Sequence, residues 1–302
     1  MTIPKTTLSF YLHIAVVAAI VFAIGSYFLS SQNANGTHNI SSKESTYDRV
    51  MRTKTLRCGF ATWYPNMVID PNTGQKSGSS FDVMNKIGEI LNLKVEWAQE
   101  AGFGTAEQDL LNGRYDALCA DVCFEAKRTK FTYFSRPFVQ SPLYIIGRNG
   151  DHRFDNDWSI ANSGDIKAGV LRNTILEHLA NRLVPKATQV DISELGADTD
   201  VMLALAAKKI DISFNNLISV DRYNAKNPGS AKTIGKPVGT CYSGFMLPHG
   251  DQKLKYMIDG AINEMIAEGS IAPIYKKYLP DDPRYWQVPQ GDMFSKNDFN
   301  NK

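Results

Sequence analysis

Whole classes of function are missing from this 302-residue sequence. It contains no GxSxG, no HExxH and no Walker A sequence, so it offers no nucleophile elbow, zinc-protease helix or phosphate loop. An excess of charge of one sign is also missing: 33 Lys and Arg face 31 Asp and Glu, a formal +2, mixed along the whole length. Nucleic-acid binding by counterion release needs a concentrated cationic surface, so no nucleic-acid partner is expected. Histidine is scarce, five in all, and His152, His178 and His249 are scattered. There are four cysteines, Cys58, Cys119, Cys123 and Cys241. The CxxxC of Cys119 and Cys123 lacks the usual two-residue spacing of a zinc site and has no His beside it. Neither a metal nor a cofactor is expected.

What is present describes a globular chain, 43% hydrophobic and 21% charged, long enough for one large domain or two modest ones. Residues 11–29 (YLHIAVVAAIVFAIGSYFL) hold no Asp, Glu, Lys or Arg and are about as long as a minimal membrane span. A signal peptide or membrane anchor is therefore expected over 1–30, followed by a polar linker over 31–46. Ala34 is the best candidate for a weak cleavage site, and no Cys follows the run to take a lipid. The lone Lys5 and short leading segment favour an N-in orientation, with everything after Ser30 outside the cytoplasm. In that oxidising setting an even number of cysteines predicts at least one disulfide, with three connectivities open.

The exported part alternates strand and helix signals. LRCGF, LKVEW, YDALCA, KAGVL and IDISF read as strands. Between them lie FDVMNKIGEIL, with Met84, Ile87 and Leu91 on one helical face, a helix opened by Thr105 and Gln108 as a capping box and ended by Gly113, TILEHLANRL opened by Thr174 and Glu177, and DTDVMLALAAKK. Strands separated by helices of this length predict parallel sheets with right-handed crossovers, here two of them. Two extended runs, FVQSPLYIIGR and TCYSGFMLP, connect the units. After the second, KLKYMIDGAINEMIAEG places Leu254, Met257, Ile258, Ala261, Ile262, Met265 and Ile266 on one face. If that helix packs back on the first unit the chain crosses twice, making a hinge over a cleft at the carboxyl ends of parallel strands, where a small ligand is expected.

The ordered segments LRCGF, GSSFDVMNKIGEILNLKVEW, LLNGRYDALCADVCFEAKRTKFTYFSRPF, KAGVLRNT and INEMIAEGSIAPIYKKYL resemble the bacterial extracellular solute-binding proteins of family 3, over about 47–279. The resemblance implies an α/β fold of the type II periplasmic-binding kind: two lobes, each a parallel-rich sheet flanked by helices, with two crossing strands as hinge. On it the chain divides into lobe 1 over 47–145, lobe 2 over 146–240, lobe 1 again over 241–285, and a tail over 286–302. The first half of that tail would cover lobe 1 and its last dozen residues would be disordered.

Carried over residue by residue, the resemblance makes Arg128 the clamp for a ligand carboxylate, which its planar donors match. From charge pattern alone, EAKRTK reads instead as a solvated basic stretch. Asn173 and Thr174 fall at the turn opening a lobe 2 helix, where free N–H groups favour an anion, although Thr174 also reads simply as a cap. Trp63 and Tyr64 follow the first strand, where the family puts an aromatic wall; packing is the plainer reading of both. Three positions depart from the pattern: Asp121 replaces a Gly or Ala, Cys123 stands at the ligand-binding position of the Thr that holds a carboxylate, and Asn216 replaces the acid that holds an α-ammonium. Asn cannot supply that full negative charge; Asp121 could supply it from the other lobe, or could instead repel an acidic ligand.

The function so implied is the periplasmic binding component of an ABC importer. It would capture a small polar, carboxylate-bearing solute such as an amino acid by hinge closure and present it to permease subunits and their ATPase. The membrane is a partner through the N-terminal segment if that is uncleaved, and no catalysis is required. Two alternatives stand beside it: a cyclohexadienyl or arogenate dehydratase of the same fold, with Asp121 or Glu125 as general acid, and a membrane-anchored ligand sensor.

Overall fold

The computed structural model describes residues 19–24, 26, 44–102, 104–192 and 198–289. The chain divides into two units, Met1–Glu44 and Ser45–Lys302. In the first, residues 19–24 are helical; the rest of the expected 1–30 segment, like most of the 31–46 linker, lies outside the described residues. Among the described residues no helix is long and apolar enough to cross a membrane.

The second unit opens with α1 (Thr46–Thr53), capped by Ser45, whose hydroxyl accepts from the Asp48 N–H at 3.0 Å. β1 (Thr55–Phe60) follows, then a small hairpin of β2 (Val68–Ile69) and β3 (Lys76–Ser77). Gly78 stands before the next helix with φ 133°, and a Cβ there would lie 2.3 Å from the Asn66 carbonyl oxygen. Only glycine permits this approach. It lets the first N–H groups of α2 (Ser79–Leu91) bond Pro65 and Asn66 and hold the 63–67 turn against the helix.

β4 (Lys94–Glu100), α3 (Ala106–Leu111) and β5 (Ala117–Cys123) complete the first crossover set. The capping box expected at Thr105 does not form: its hydroxyl donates to the Gly102 carbonyl, and Gln108 bonds Asn112 instead of reaching back. With only six residues in α3, those local partners outcompete the cap. Gly113 does end this segment, at φ 67°.

After β6 (Thr132–Phe134) the chain enters β7 (Val139–Arg148). The second set is β8 (Lys167–Val170), α4 (Ile175–Leu183), β9 (Thr188–Asp191), α5 (Asp198–Ala206), β10 (Ile212–Asn215) and α6 (Leu217–Lys226). β11 (Ala231–Pro248), α7 (Gln252–Ala267) and α8 (Ile271–Lys276) return to the first set.

The strands form one nine-stranded sheet, ordered β4-β1-β5-β11-β7-β10-β8-β9 with β6 on β11, rather than two separate sheets. The two parallel groups, β4-β1-β5 and β10-β8-β9, are fused because β7 and β11 pair antiparallel along both halves, from Ala231 opposite Arg148 to Ser243 opposite Val139. A register shift between Ile234 and Gly239 marks the middle of this ribbon.

Two large cores lie on either side. Val139 and Phe245 belong to the first, with Leu56, Met84, Ile87 and the buried face of α7. Leu143, Ile145, Ile146, Ile234 and Cys241 belong to the second, with Val170, Leu179 and Phe214. The expected lobe borders at 145/146 and 240/241 thus fall on the two ribbon strands.

On α7, Leu254, Ile258, Ala261, Ile262 and Met265 are buried, with Met257 and Ile266 beside them. The described part of the 286–302 tail packs into the first core: Trp286 is buried, its ring stacks on Tyr275 at 5.2 Å, and Gln287 exchanges backbone hydrogen bonds with Gln140 on β7. The disordered end expected for the tail lies outside the described residues. Two disulfides close, Cys58–Cys119 between β1 and β5, and Cys123–Cys241 between β5 and β11.

Candidate ligand cleft

The loops after four parallel strands meet in one cavity, as the carboxyl ends of such strands favour. Trp63 follows β1, Asp121 and Cys123 end β5, Leu171 and Thr174 follow β8, and Asn215 and Asn216 close β10; all line it. It holds about 120 Å³, where about 10–15 Å³ would seat one water. It is therefore a space for a small organic molecule.

Arg128 sits on a short 3₁₀ turn, Arg128–Lys130, with its side chain only 4% exposed. Its Nε lies 3.3 Å from Glu107 and 3.5 Å from Glu125, and its Nη2 donates to the Asn173 carbonyl. The solvated-stretch reading of Arg128 is thereby overturned. The guanidinium lines the cavity and joins lobe 1 to the turn that opens α4.

Thr174 caps α4, accepting from the Leu176 N–H at 3.2 Å and donating to the Leu171 carbonyl at 2.7 Å. Asn173 adopts φ 57°, and its N–H, not that of Thr174, donates to the Glu177 carboxylate at 2.8 Å. Asn173 does not line the cavity; it contributes through the carbonyl that Arg128 holds. Trp63 lines the wall, but Tyr64 turns away. Its hydroxyl donates to the Tyr278 carbonyl at 2.7 Å, and the Arg222 guanidinium covers its ring at 3.9 Å.

Asp121 replaces a small residue and brings a carboxylate into the cavity, where it accepts from the Ser80 hydroxyl and the Tyr275 phenol. Burial raises its pKa to about 6, against the lowering effect of those two bonds. Burial also raises the Glu125 carboxyl, opposed by the neighbouring Arg128. Tyr275 is pushed well up by burial and by Asp121, so it remains a donor. Cys123 presents no thiol: bonded to Cys241, it is a disulfide in the wall, with Cys241 Sγ 3.1 Å from the Ser243 hydroxyl.

Asn216 is committed as the cap of α6, its Oδ1 accepting from the Ser219 N–H and hydroxyl at 3.2 and 2.9 Å. Its neighbour Asn215, unmarked in the sequence reading, is the one turned inward. It is 3% exposed, its Oδ1 accepts from the Asn216 N–H at 2.9 Å, and its Nδ2 has no partner. The Asn–Asn doublet was the only signal, and which member caps depends on where the helix begins. Ser80, Tyr275 and Tyr285 were also missed, since each reaches the site from an element remote in sequence. Among the described residues no group of three or more His, Cys, Asp and Glu is placed to hold a metal ion.

Residues 56–281 match the sequence profile of the bacterial extracellular solute-binding proteins, family 3. The chain belongs to this family. As a family 3 solute-binding protein it is 21% identical over 241 residues to an L-arginine-binding protein of Pseudomonas aeruginosa, covering 76% of this chain and 89% of that one. It is 21% identical over 231 residues to the L-cystine-binding protein TcyJ of Bacillus subtilis, covering 76% and 85% respectively. Among solved structures, the ancestral amino acid-binding protein AncCDT-1, a precursor of cyclohexadienyl dehydratase, superposes with a TM-score of 0.67 at 22% identity, covering 78% of this chain and all of that one. That likeness supports the shared two-lobed fold of this solute-binding protein, and the relatives named by sequence are binding proteins.

Proposed function

We propose that this family 3 protein captures a small amino acid or related polar solute outside the cytoplasm, in the periplasm, and delivers it to an ABC permease and its ATPase. The observation that carries this reading is the cavity walled by both lobes, with Arg128 of lobe 1 reaching the Asn173 carbonyl of lobe 2. A ligand touching both walls favours the closed arrangement by its differential affinity, which is the whole of the work required. Arg128, oriented by Glu107 and Glu125, faces the ligand's carboxylate, with the N-terminal turn of α4 behind it. Trp63 covers the ligand's apolar part, and the Cys123–Cys241 disulfide gives the wall a fixed shape. Residues 11–29 tether the protein to the inner membrane if they are retained.

A thermal-shift screen of the full chain against the common amino acids, small carboxylates and prephenate tests this. At about 100 times its dissociation constant a ligand adds about 2.7 kcal/mol of stability. A shift from an amino acid that disappears in Arg128→Ala is the expected result. Prephenate belongs in the panel because Asp121 and Glu125, both raised by burial, are the groups a dehydratase would use as acid; its turnover would replace the binding reading.

A further inference from the structure

The ionised groups lining the cleft are not balanced. Arg128 already faces two carboxylates, Glu107 and Glu125, at 3.3 and 3.5 Å. Asp121 has only the hydroxyls of Ser80 and Tyr275, and no Lys, Arg or His side chain pairs with it among the described residues. A carboxylate in a confined wall with only neutral donors leaves a negative charge for the ligand to meet.

Across the cavity stands Asn215. Its orientation is fixed by an unambiguous donor: the Asn216 N–H must meet an oxygen, so Oδ1 faces it and Nδ2 faces the other way. That Nδ2 is buried without a partner on a residue that lines the cavity. Leaving such a group unsatisfied carries its full desolvation cost, which is removed when a ligand brings an acceptor.

We propose that the ligand is a net-positive solute, whose ammonium, amidinium or guanidinium group is received by Asp121 of lobe 1 while an acceptor oxygen at its other end is received by the Asn215 amide of lobe 2. The inference rests on the amino-acid-binding reading above and deepens it. It explains how a site with Asn216 in place of an acid still reads a cation: the negative charge has moved to the opposite lobe, and lobe 2 contributes a neutral donor. Lobe 1 then receives the cation at Asp121 and faces the acceptor end with Arg128, and lobe 2 completes that end through Asn215, so the full set of contacts forms only when the cleft closes.

Isothermal titration of the full chain with L-arginine, L-lysine, L-glutamine and L-glutamate tests it. Arginine or lysine binds, glutamine binds at least about tenfold more weakly, and glutamate is silent. Asp121→Asn, which keeps the shape and both hydroxyl contacts, lowers affinity for the cationic ligand about 100-fold, the loss typical when one partner of a buried charge pair is removed. Asn215→Ala lowers it about tenfold without changing the order of preference. Glutamine or glutamate binding as tightly as arginine, or an unchanged arginine affinity in Asp121→Asn, overturns the inference while leaving amino acid capture intact. If no member of the panel binds, both readings fail. Should either variant fold poorly, as its melting curve would show, the preference of the unaltered chain among the four amino acids decides alone.

Discussion

The two walls of the cleft are built on opposite principles. Among the described residues lobe 1 supplies every ionised group that lines the cavity, Asp121, Glu125 and Arg128, whereas lobe 2 supplies Leu171, Thr174, Ile175, Leu176, Asn215, Asn216 and Ile218, none of them charged. The charged wall is also the cross-linked one: both disulfides join its strands or tie it to β11, and every cysteine is used in them. Charges that must discriminate between ligands need a surface that does not relax around them. The neutral wall presents helix starts and an amide, groups that complete a ligand's hydrogen bonds on arrival. On the function proposed above, lobe 1 sets which charge is admitted, and lobe 2 sets whether the cleft stays shut.

The sharpest way to break this contrast is to remove the cross-link from the charged wall. Cys58→Ser with Cys119→Ser opens a connection spanning 61 residues, which should cost about 4 kcal/mol of unfolding free energy. Urea denaturation measures it, and a loss below about 1 kcal/mol would show that the β1–β5 pairing is rigid without the bond. Next comes Arg128→Ala, which strips a buried guanidinium from Glu107 and Glu125 and should cost about 3 kcal/mol. The matching change in the neutral lobe is Arg172→Ala, where a half-exposed side chain pairs Glu177 and Asp191; about 0.5 kcal/mol is expected there. Equal costs for the two arginines would erase the distinction between the walls.

Much of this architecture was legible in the sequence because it rests on local periodicity. The alternation of apolar strands and amphipathic helices predicted both parallel groups, and α7 buries the face its spacing marks. What the sequence left open depended on partners far away in the chain. That β7 and β11 fuse two sheets into one is a matter of register between strands some ninety residues apart, about which neither strand's own pattern is informative. The same holds in the site. Arg128 and Thr174 were marked by their segments, but Asp121 gained its meaning from Ser80 and from Tyr275, 154 residues later. Cys123 does line the cavity, but as half of a disulfide whose partner, Cys241, lies 118 residues away.

The pH dependence sharpens the same comparison, because only the charged wall titrates. The Asp121 carboxyl, raised by burial from 3.8 to about 6, favours its protonated form in the folded, ligand-free protein. Its contribution to stability is therefore fully present below about pH 4 and is lost as the pH rises through 6. A cationic ligand needs the ionised form, so its affinity runs the other way, falling by up to about tenfold per pH unit below 6. Glu125, raised in the same direction, shares the cavity. Asp121→Asn separates the contributions: titration calorimetry between pH 5 and 8 should lose most of its slope in this variant, and an undiminished slope would assign the effect to Glu125.

A further small effect lies where the two walls touch outside the cavity. Asp221 and Arg222, neighbours on α6 of lobe 2, reach two tyrosines of lobe 1: the Tyr285 phenol donates to the Asp221 carboxylate, and the Arg222 guanidinium lies 3.9 Å above the Tyr64 ring. Tyr285 belongs to the segment that Trp286 pins into the first core, so the clasp is anchored on the rigid side and grips the other. Its bond to Asp221 is exposed, which limits its worth to about 0.5–1 kcal/mol. That is still enough to change the ratio of closed to open forms two- to fivefold. Tyr285→Phe, which keeps the ring against the cavity, should raise the radius of gyration of the ligand-free chain in solution scattering and leave that of the ligand-saturated chain unchanged. An equal rise in both states would mean that the phenol holds the fold of lobe 1 rather than the closure of one wall upon the other.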